Sequence, residues 1–349
     1  MGQLPVIIIG GGIAGLSLGA ELIKHGAQVI VLEQNEIASG ASGAASAYLE
    51  PRTGTGGLRA IEWASLEDWP DYAAAIEKAA GTDLDYRTDC QVHVAFEDAL
   101  PRLRRDFEKR TSAGTPTTWL SADAVRALEP ELAPNIAAGF SLDQVHWLDG
   151  RKLCAALATH LRRAGATVRE HTGVVSVTRK NGALCVSSAD EAWTADKLAI
   201  CCAMGRNDIA GLPQDVPLCR PVRGVMLSIA MDPSRPLVRR VIKHAKGVLC
   251  PRSDGRLLVG PTSEKGETSP VVSETVQRQL LDTAKRFVPA LANLEVCEVS
   301  SGIRALVGDG ALKLGQSRHM PGVYYSLSHG GSGYLRTPVV ARELATYVL

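Results

Sequence analysis

The sequence predicts an α/β fold in which a parallel sheet is interleaved with a second sheet. Three observations carry this. Roughly the first thirty residues read as strand, glycine-rich turn, helix, strand and acid. Strand-like and helical stretches then alternate along the rest of the chain. Near the C-terminus a second glycine-rich loop, Ser328-His329-Gly330-Gly331-Ser332-Gly333, runs into a last helix.

The opening unit has a physical reason for each part. Val6-Ile7-Ile8-Ile9 is apolar, β-branched and too short for a helix. Gly10-Gly11-Gly12-Ile13-Ala14-Gly15 follows, then a helical period from Leu16 that stops at Gly26. Gln28-Val29-Ile30-Val31-Leu32 is a second strand and ends in Glu33. Gly10 permits the tight turn, Gly12 lets backbone approach a pyrophosphate, and Gly15, with Gly19 one turn on, lets the helix lie flat on the sheet. The helix N-terminus, starting at Ile13 and Ala14, offers unpaired N–H groups and partial positive charge to phosphates. Glu33 is placed to accept hydrogen bonds from a ribose diol and to repel a 2′-phosphate. The alternative, a glycine-rich turn of some other α/β fold, lacks a reason for the acid.

Composition narrows the classes. A chain of 349 residues, 45% hydrophobic, can bury a sizeable core as one large domain or two interleaved ones. A formal net charge of +1 gives no general affinity for nucleic acid or an acidic membrane. No stretch approaches membrane-spanning length, and the first apolar run is broken by glycine too soon for a signal peptide. The eight cysteines form no CxxC pair and sit mostly in apolar runs, so buried free thiols in a reducing, cytoplasmic compartment are expected rather than a metal site or disulfides.

Along the chain, the stretch from Ser39 to Ala47 is dominated by small residues, with hydroxyls at Ser39, Ser42 and Ser46. It reads as a segment passing close beneath a bound cofactor, where large side chains would not fit. Residues 58–80 look helical, with Trp63, Leu66, Trp69 and Tyr72 as core. Residues 85–95 open a second sheet. The basic run at 101–110 reads as a solvated amphipathic helix, since Asp106 and Glu108 are interleaved and Leu103 and Phe107 lie four apart. Ser121 is an N-cap. Residues 152–164 form a helix, 174–187 a hairpin around Asn181-Gly182, and 197–202 a buried strand that returns to the first sheet. Strands at 225–230, 248–251 and 256–260, a helix at 274–287, a strand before Ser300, an apolar run at 323–327 and a helix at 338–348 complete the chain. The nucleotide-binding part is expected at 1–80, 145–215 and 301–349, and the second part at 81–144 and 216–300.

Gly10-x-Gly12-x-x-Gly15 with Glu33, the small-residue segment, Pro251-Arg252-Ser253-Asp254-Gly255-Arg256-Leu257-Leu258-Val259-Gly260, Gly302-Ile303-Arg304 and Gly330-Gly331-Ser332-Gly333 occur in that order. This ordered set resembles the D-amino-acid oxidase superfamily of FAD-dependent oxidoreductases, and within it the glycine oxidases of thiamine biosynthesis, over nearly the full length. The resemblance implies a Rossmann-like FAD-binding domain of the glutathione-reductase type interleaved with a mixed-sheet α+β substrate domain. It implies non-covalent FAD, since the last cysteine, Cys297, precedes the flavin-facing loops. Gly10, Gly12, Ile13, Ala14 and Gly15 would face the pyrophosphate, Glu33 and Gln34 the adenosine end, and Ser39, Ser42, Ala44 and Ser46 the phosphates and flavin. Val174 and Val175 match the family position that reaches the adenine through backbone groups. Gly205 joins the cofactor set, and His329, Gly330, Gly331, Ser332, Gly333 and Tyr334 would lie near the isoalloxazine.

Arg304 matches the family arginine that pairs bidentately with a substrate carboxylate, a match of charge and shape that lysine does not offer. One position departs from the pattern: where many members carry a carboxylate-binding tyrosine before Pro-Arg, this chain has Val248. Arg223 and His244 are candidates for the second polar contact. The implied reaction is oxidation of a small α-amino acid (glycine, sarcosine or a D-amino acid) to its imine, with orientation supplying much of the rate. Dioxygen is the expected acceptor, giving hydrogen peroxide, and the imine would feed thiazole assembly. The rivals are a dehydrogenase with another acceptor, a flavin oxidase of modified tRNA, a non-catalytic flavin module and an NAD dehydrogenase. A homo-oligomer is compatible with the sequence; no nucleic-acid partner, membrane span or metal is expected.

Overall fold

The computed structural model describes residues 4–53 and 56–349. Residues 1–3 and 54–55, which fall in the expected 1–80 segment, lie outside the described residues. The opening unit forms as β1 (Val6–Ile9), α1 (Ile13–Lys24) and β2 (Val29–Leu32), with β1 and β2 parallel and in register from Val6 opposite Val29 to Ile9 opposite Leu32. β1 is buried at every position, which is why its sequence shows no alternation. The sheet around it has six strands in the order Lys313–Gln316, Val323–Leu327, Lys197–Ile200, β1, β2 and Thr167–Arg169. All its pairings are parallel except that of the edge strand Lys313–Gln316.

One face of this sheet is covered by α1, Gly57–Ala80, Gly150–Arg163 and Thr337–Val348, whose apolar sides share a core with Trp69, Leu153, Leu157 and Leu344. The other face is covered by a three-stranded antiparallel sheet whose Val177, Leu184 and Val186 pack on Ile7, Ile9 and Leu198. Asn181 and Gly182 both have positive φ (50° and 86°), the conformation that a two-residue hairpin turn requires of its central pair.

The second sheet has nine strands. Eight run in the order Glu264–Lys265, Arg220–Ala230, Arg256–Gly260, Gly247–Pro251, Ile242–His244, Gln91–Ala95, Ala138–Leu142 and Thr117–Ser121, and the ninth, Val296–Leu306, also pairs with Arg220–Ala230. Of its pairings, Ile242–His244 with Gln91–Ala95 is parallel and the rest are antiparallel. The helix Glu274–Phe287, capped by Ser273, packs on it through Leu280, Ala284 and Phe287. Ser121 caps Ala122–Leu128 by accepting from the Ala124 N–H at 3.2 Å.

Three local expectations change. Ser300 to Arg304 do not follow the last strand of this sheet but lie inside it, paired from Ser300 opposite Met226 to Arg304 opposite Val222. The strand therefore crosses the expected division at 300/301. The helix Leu100–Ser112 is amphipathic, yet its Arg110 is not solvated: only 5% of it is exposed, and it bonds to the buried Glu50 and to Asp106. The cysteines are all unpaired; Cys154, Cys201, Cys219 and Cys250 are buried, while Cys297 is exposed.

Candidate active site

The carboxyl ends of β1, β2, Lys197–Ile200 and Val323–Leu327 open onto one cavity of ≈ 430 Å³. Ligands bind at this edge of an open parallel sheet because the loops leaving it diverge there and helix N-termini point into the gap. The cavity continues across to the second sheet, where Gly224, Met226, Pro261, Gly302 and Arg304 form its wall.

At the first end, the glycines are fixed by contacts that a Cβ would violate. Gly10 has φ +112°, and a Cβ there would stand 2.7 Å from the Cys201 carbonyl oxygen. A Cβ on Gly15 would stand 2.0 Å from the Gly10 carbonyl oxygen, so α1 closes directly on the turn. The N-cap of α1 is Gly12, which supplies no side-chain cap. Ser42 Oγ, from the small-residue segment, accepts from the Ile13 N–H at 3.0 Å. The neighbouring N–H groups of this turn remain available to an anion. Glu33 accepts from the Gly11 N–H at 2.6 Å and from the Asn35 N–H at 3.0 Å, which fixes its carboxylate at the lip of the turn.

Gln34, Ser39, Ala44, Ser46, Val174 and Gly205 line the same cavity. The small-residue segment is small for a reason beyond the cavity. A Cβ on Gly302 would meet Ala41 at 2.8 Å and Ala44 at 2.9 Å, so this segment lies directly against the strand Val296–Leu306. Arg252, 5% exposed, donates to the Ser46 carbonyl oxygen, and Arg151 donates to that of Gly43 at 2.8 Å. Arg256 donates to Asp149, whose other oxygen caps Gly150–Arg163. The Pro-Arg-x-x-Gly-Arg stretch is thus a clasp between the two sheets rather than part of the cavity wall.

The C-terminal loop supplies His329, Gly330, Gly331, Gly333 and Tyr334. Tyr334 donates its hydroxyl to the Ser42 carbonyl oxygen at 2.8 Å. His329 accepts or donates at Nε2 with Ser326 Oγ at 2.9 Å, and its buried Nδ1 has no partner among the described residues. Burial, with Arg336 nearby, lowers the His329 pKa to about 4, so the ring is neutral at pH 7. Arg336 itself is fully buried against Glu62 at 2.6 Å.

Arg304 projects from the second sheet. A Cβ on Gly224 would stand 2.7 Å from its Nη2, so that glycine makes the room. Nη2 donates to the Thr262 carbonyl oxygen at 2.6 Å. Among the described residues no carboxylate pairs with Arg304, and desolvation lowers its pKa. A half-buried guanidinium without an acid, on a cavity wall, calls for an anionic ligand.

Several expected positions are not on the wall. Gly15 and Ser332 lie behind it; Gly15 acts through helix packing, and the Ser332 N–H donates to the His329 carbonyl oxygen. Val175 points to solvent at 48% exposure; its N–H donates to the Ser187 carbonyl oxygen and its carbonyl accepts from the Ala210 N–H, so both are engaged within the fold. Arg223 is buried and bonded to Glu264, Ser269 and Val271, and His244 is stacked on Phe287 at 4.1 Å; neither reaches the cavity. Val248 is 2% exposed in a cluster with Trp147, Met226 and Cys250. The residue missed from sequence is Tyr48, which lines the cavity directly after the small-residue run. Its signal was being the first large, polar-tipped side chain after that run.

A helix N-terminus whose N-cap is glycine, an acid at the end of β2 and an elongated cavity fit a flavin adenine dinucleotide. The comparisons agree. The family described as FAD dependent oxidoreductase (DAO) matches residues 5–347. A glycine oxidase of Bacillus licheniformis is 27% identical over 99% of this chain and 93% of its own length. A Rhizobium etli protein described as a thiamine biosynthesis oxidoreductase, ThiO, is 28% identical over 99% of this chain and 97% of its own. The crystal structure of glycine oxidase from Geobacillus kaustophilus superposes with a TM-score of 0.91 at 26% identity, covering 100% of this chain and 95% of that one. Among the described residues, no helix is long and apolar enough to cross a membrane, and no group of three or more His, Cys, Asp or Glu could hold a metal ion. The chain belongs to the DAO family of FAD-dependent oxidoreductases.

Proposed function

We propose that this chain oxidises a small α-amino acid (glycine, sarcosine or a D-amino acid) to its imine, with dioxygen as the final acceptor and hydrogen peroxide as the second product. The observation that carries this reading is Arg304, a half-buried guanidinium without an acidic partner among the described residues, on the wall of the cavity whose other end meets the α1 N-terminus. FAD, when bound, supplies the two-electron acceptor for the Cα–H bond that breaks as the C=N bond forms. Gly10, Gly12, Ile13 and Ala14 would hold its pyrophosphate, Glu33 its ribose, and the loop from His329 to Tyr334 its ring.

Arg304 holds the substrate carboxylate and so fixes which face of Cα is presented. The neutral His329 adds no second cation that would compete for that carboxylate. The amine reacts in its neutral form and loses its proton to solvent as the imine forms, so no side chain is required as a base. Non-covalent attachment of FAD is part of the proposal. Of the two cysteines on the cavity wall, Cys201 is buried and Cys202 partly buried; desolvation pushes the Cys201 thiol up to about 12 and raises that of Cys202 as well. Their nucleophilic thiolates are therefore suppressed. The division into a cofactor part and a substrate part, one for each large sheet, belongs to the same reading. The description of the Rhizobium etli relative supports a finer one, in which the imine passes to thiazole assembly.

The test is anaerobic mixing of the flavin-loaded protein with glycine, sarcosine and a panel of D-amino acids. Bleaching of the flavin by at least one of them, followed by reoxidation in air with peroxide release, is expected. Bleaching without reaction with oxygen would make the protein a dehydrogenase, and no bleaching by any of them would remove the amino-acid reading. FAD released by acid precipitation into the supernatant checks the non-covalent attachment.

A further inference from the structure

We propose that Tyr48 donates its phenol hydroxyl to the substrate carboxylate beside Arg304, so that the second contact to the carboxylate comes from the nucleotide-binding side of the cavity. The proposal rests on Arg304 being the carboxylate anchor. The strand Gly247–Pro251 does not offer such a contact, because Val248 is sealed in the cluster of Trp147, Met226 and Cys250. Tyr48 packs against that same cluster, lines the cavity, and has no hydrogen-bond partner for its hydroxyl among the described residues.

Tyr48 and Arg304 lie close enough for each to shift the other's titration. Burial, with the Glu50 carboxylate nearby, holds the phenol well above its usual range, so it remains a protonated donor at every working pH. Arg304 commits Nη2 to the Thr262 and Arg223 carbonyl oxygens, at 2.6 and 3.4 Å, which leaves Nε and Nη1 for a ligand. A carboxylate has room for about four donors, so the phenol completes the site rather than crowding it.

The phenol is also held in place. Tyr48–Leu49 pairs with His146–Trp147. Two residues from Tyr48, the buried Glu50 accepts from Lys243 at 2.6 and 2.8 Å, from Arg110 at 2.5 Å and from Gln91 at 3.0 Å. Lys243 Nζ also stands 5.8 Å from the centre of the Tyr48 ring. Tyr48 thus joins the segment that carries Ser42, Ala44 and Ser46 to the second sheet, so the donor would hold the substrate where the two parts of the cavity meet.

The experiment is Tyr48→Phe in the flavin-loaded protein, with acetate titrated against the flavin absorbance and kinetics on the best substrate of the panel. The change removes a hydroxyl and keeps the ring packing. The expected result is unchanged FAD content and melting temperature, an acetate Kd and a KM each raised about tenfold, and kcat within about threefold. Arg304→Ala is the parallel control. If Tyr48→Phe leaves Kd and KM unchanged while Arg304→Ala loses both, the phenol is not a ligand, and the proposed function stands without it. If Tyr48→Phe lowers FAD content or the melting temperature without a selective rise in Kd, Tyr48 belongs to the scaffold and the inference falls. A wild-type flavin that responds to neither acetate nor any amino acid overturns both readings.

Discussion

The two ends of the cavity are built by different means. At the α1 end the wall is backbone: Gly10 and Gly12 bring main-chain atoms to the surface, and Gly15 lies behind them, where a Cβ would fall 2.0 Å from the Gly10 carbonyl oxygen. At the far end the wall is side chain. Tyr48, Arg304 and His329 come from three distant parts of the sequence and converge there. The first end is specified by local sterics, and at Gly10 and Gly15 main chain leaves no room for a Cβ. The second is specified by long-range packing, so its residues can be exchanged without unfolding the chain. The difference predicts which substitutions should destroy the protein and which should only silence it.

The sharpest contrast is between Gly15→Ala and Arg304→Ala. Neither the Gly10 carbonyl nor Ile8, 3.1 Å from the new methyl, is the flexible tip of a side chain, so α1 must move off the turn. Gly15→Ala should cost about 3 kcal/mol of stability and empty the protein of FAD; urea midpoints and the flavin-to-protein absorbance ratio check both. A normally yellow, normally stable Gly15→Ala protein would mean that the turn is not rigid. Arg304→Ala should do the opposite. Removing a desolvated cation that has no acidic partner should leave the melting temperature unchanged or slightly raised, with FAD retained. Turnover should fall at least about a hundredfold, because the substrate carboxylate loses its charged partner.

The same difference explains how much was legible in the sequence. Gly10, Gly12, Gly15, Glu33 and the strands around them lie within about thirty residues, and each obeys a rule of local geometry. The cap Ser121 and the Asn181-Gly182 turn were legible for the same reason. Position 175 was not: whether Val174 or Val175 faces the cavity depends on the pleat of a segment tied to Ser187 and Ala210, and a one-residue shift reverses it. Arg223 and His244 were read as free polar groups because their partners, Glu264 and Phe287, lie 41 and 43 positions away. The exposed reading of Arg110 failed likewise, since Glu50 lies 60 residues upstream.

Acid should act on the side-chain end first. Burial lowers the pKa of His329 to about 4, against an ordinary value near 6.5. The unfolded chain therefore binds a proton that the folded chain refuses. The stability contributed by the neutral ring is present above pH 6.5 and is lost as the pH falls towards 4, at about 2 kcal/mol between pH 7 and 5 for this one group. His93 and His244, also lowered to about 4 by burial, add in the same direction. Unfolding curves at pH 7 and 5 measure the total, and His329→Gln should reduce the drop. An equal drop in that variant would place the acid sensitivity elsewhere.

The mildest test lies at the backbone end itself. Gly19 is on α1, one turn beyond Gly15, and a Cβ there would meet Leu161 Cδ2 at 3.1 Å and Cδ1 at 3.3 Å, with Ile8 Cδ1 at 3.5 Å. These are ends of side chains rather than backbone, so a few tenths of an ångström of adjustment in Leu161 would admit the methyl. Against that strain stands the helix preference of alanine over glycine, about 1 kcal/mol in favour of the substitution. Gly19→Ala should therefore change stability by less than about 1 kcal/mol in either direction, with FAD content and turnover intact. Because Gly15 and Gly19 sit on the same face of one helix and differ mainly in what a methyl would touch, the pair isolates the cause. If Gly19→Ala proved as damaging as Gly15→Ala, close helix packing in general, and not the approach of main chain to main chain at the turn, would be what makes this end of the cavity intolerant.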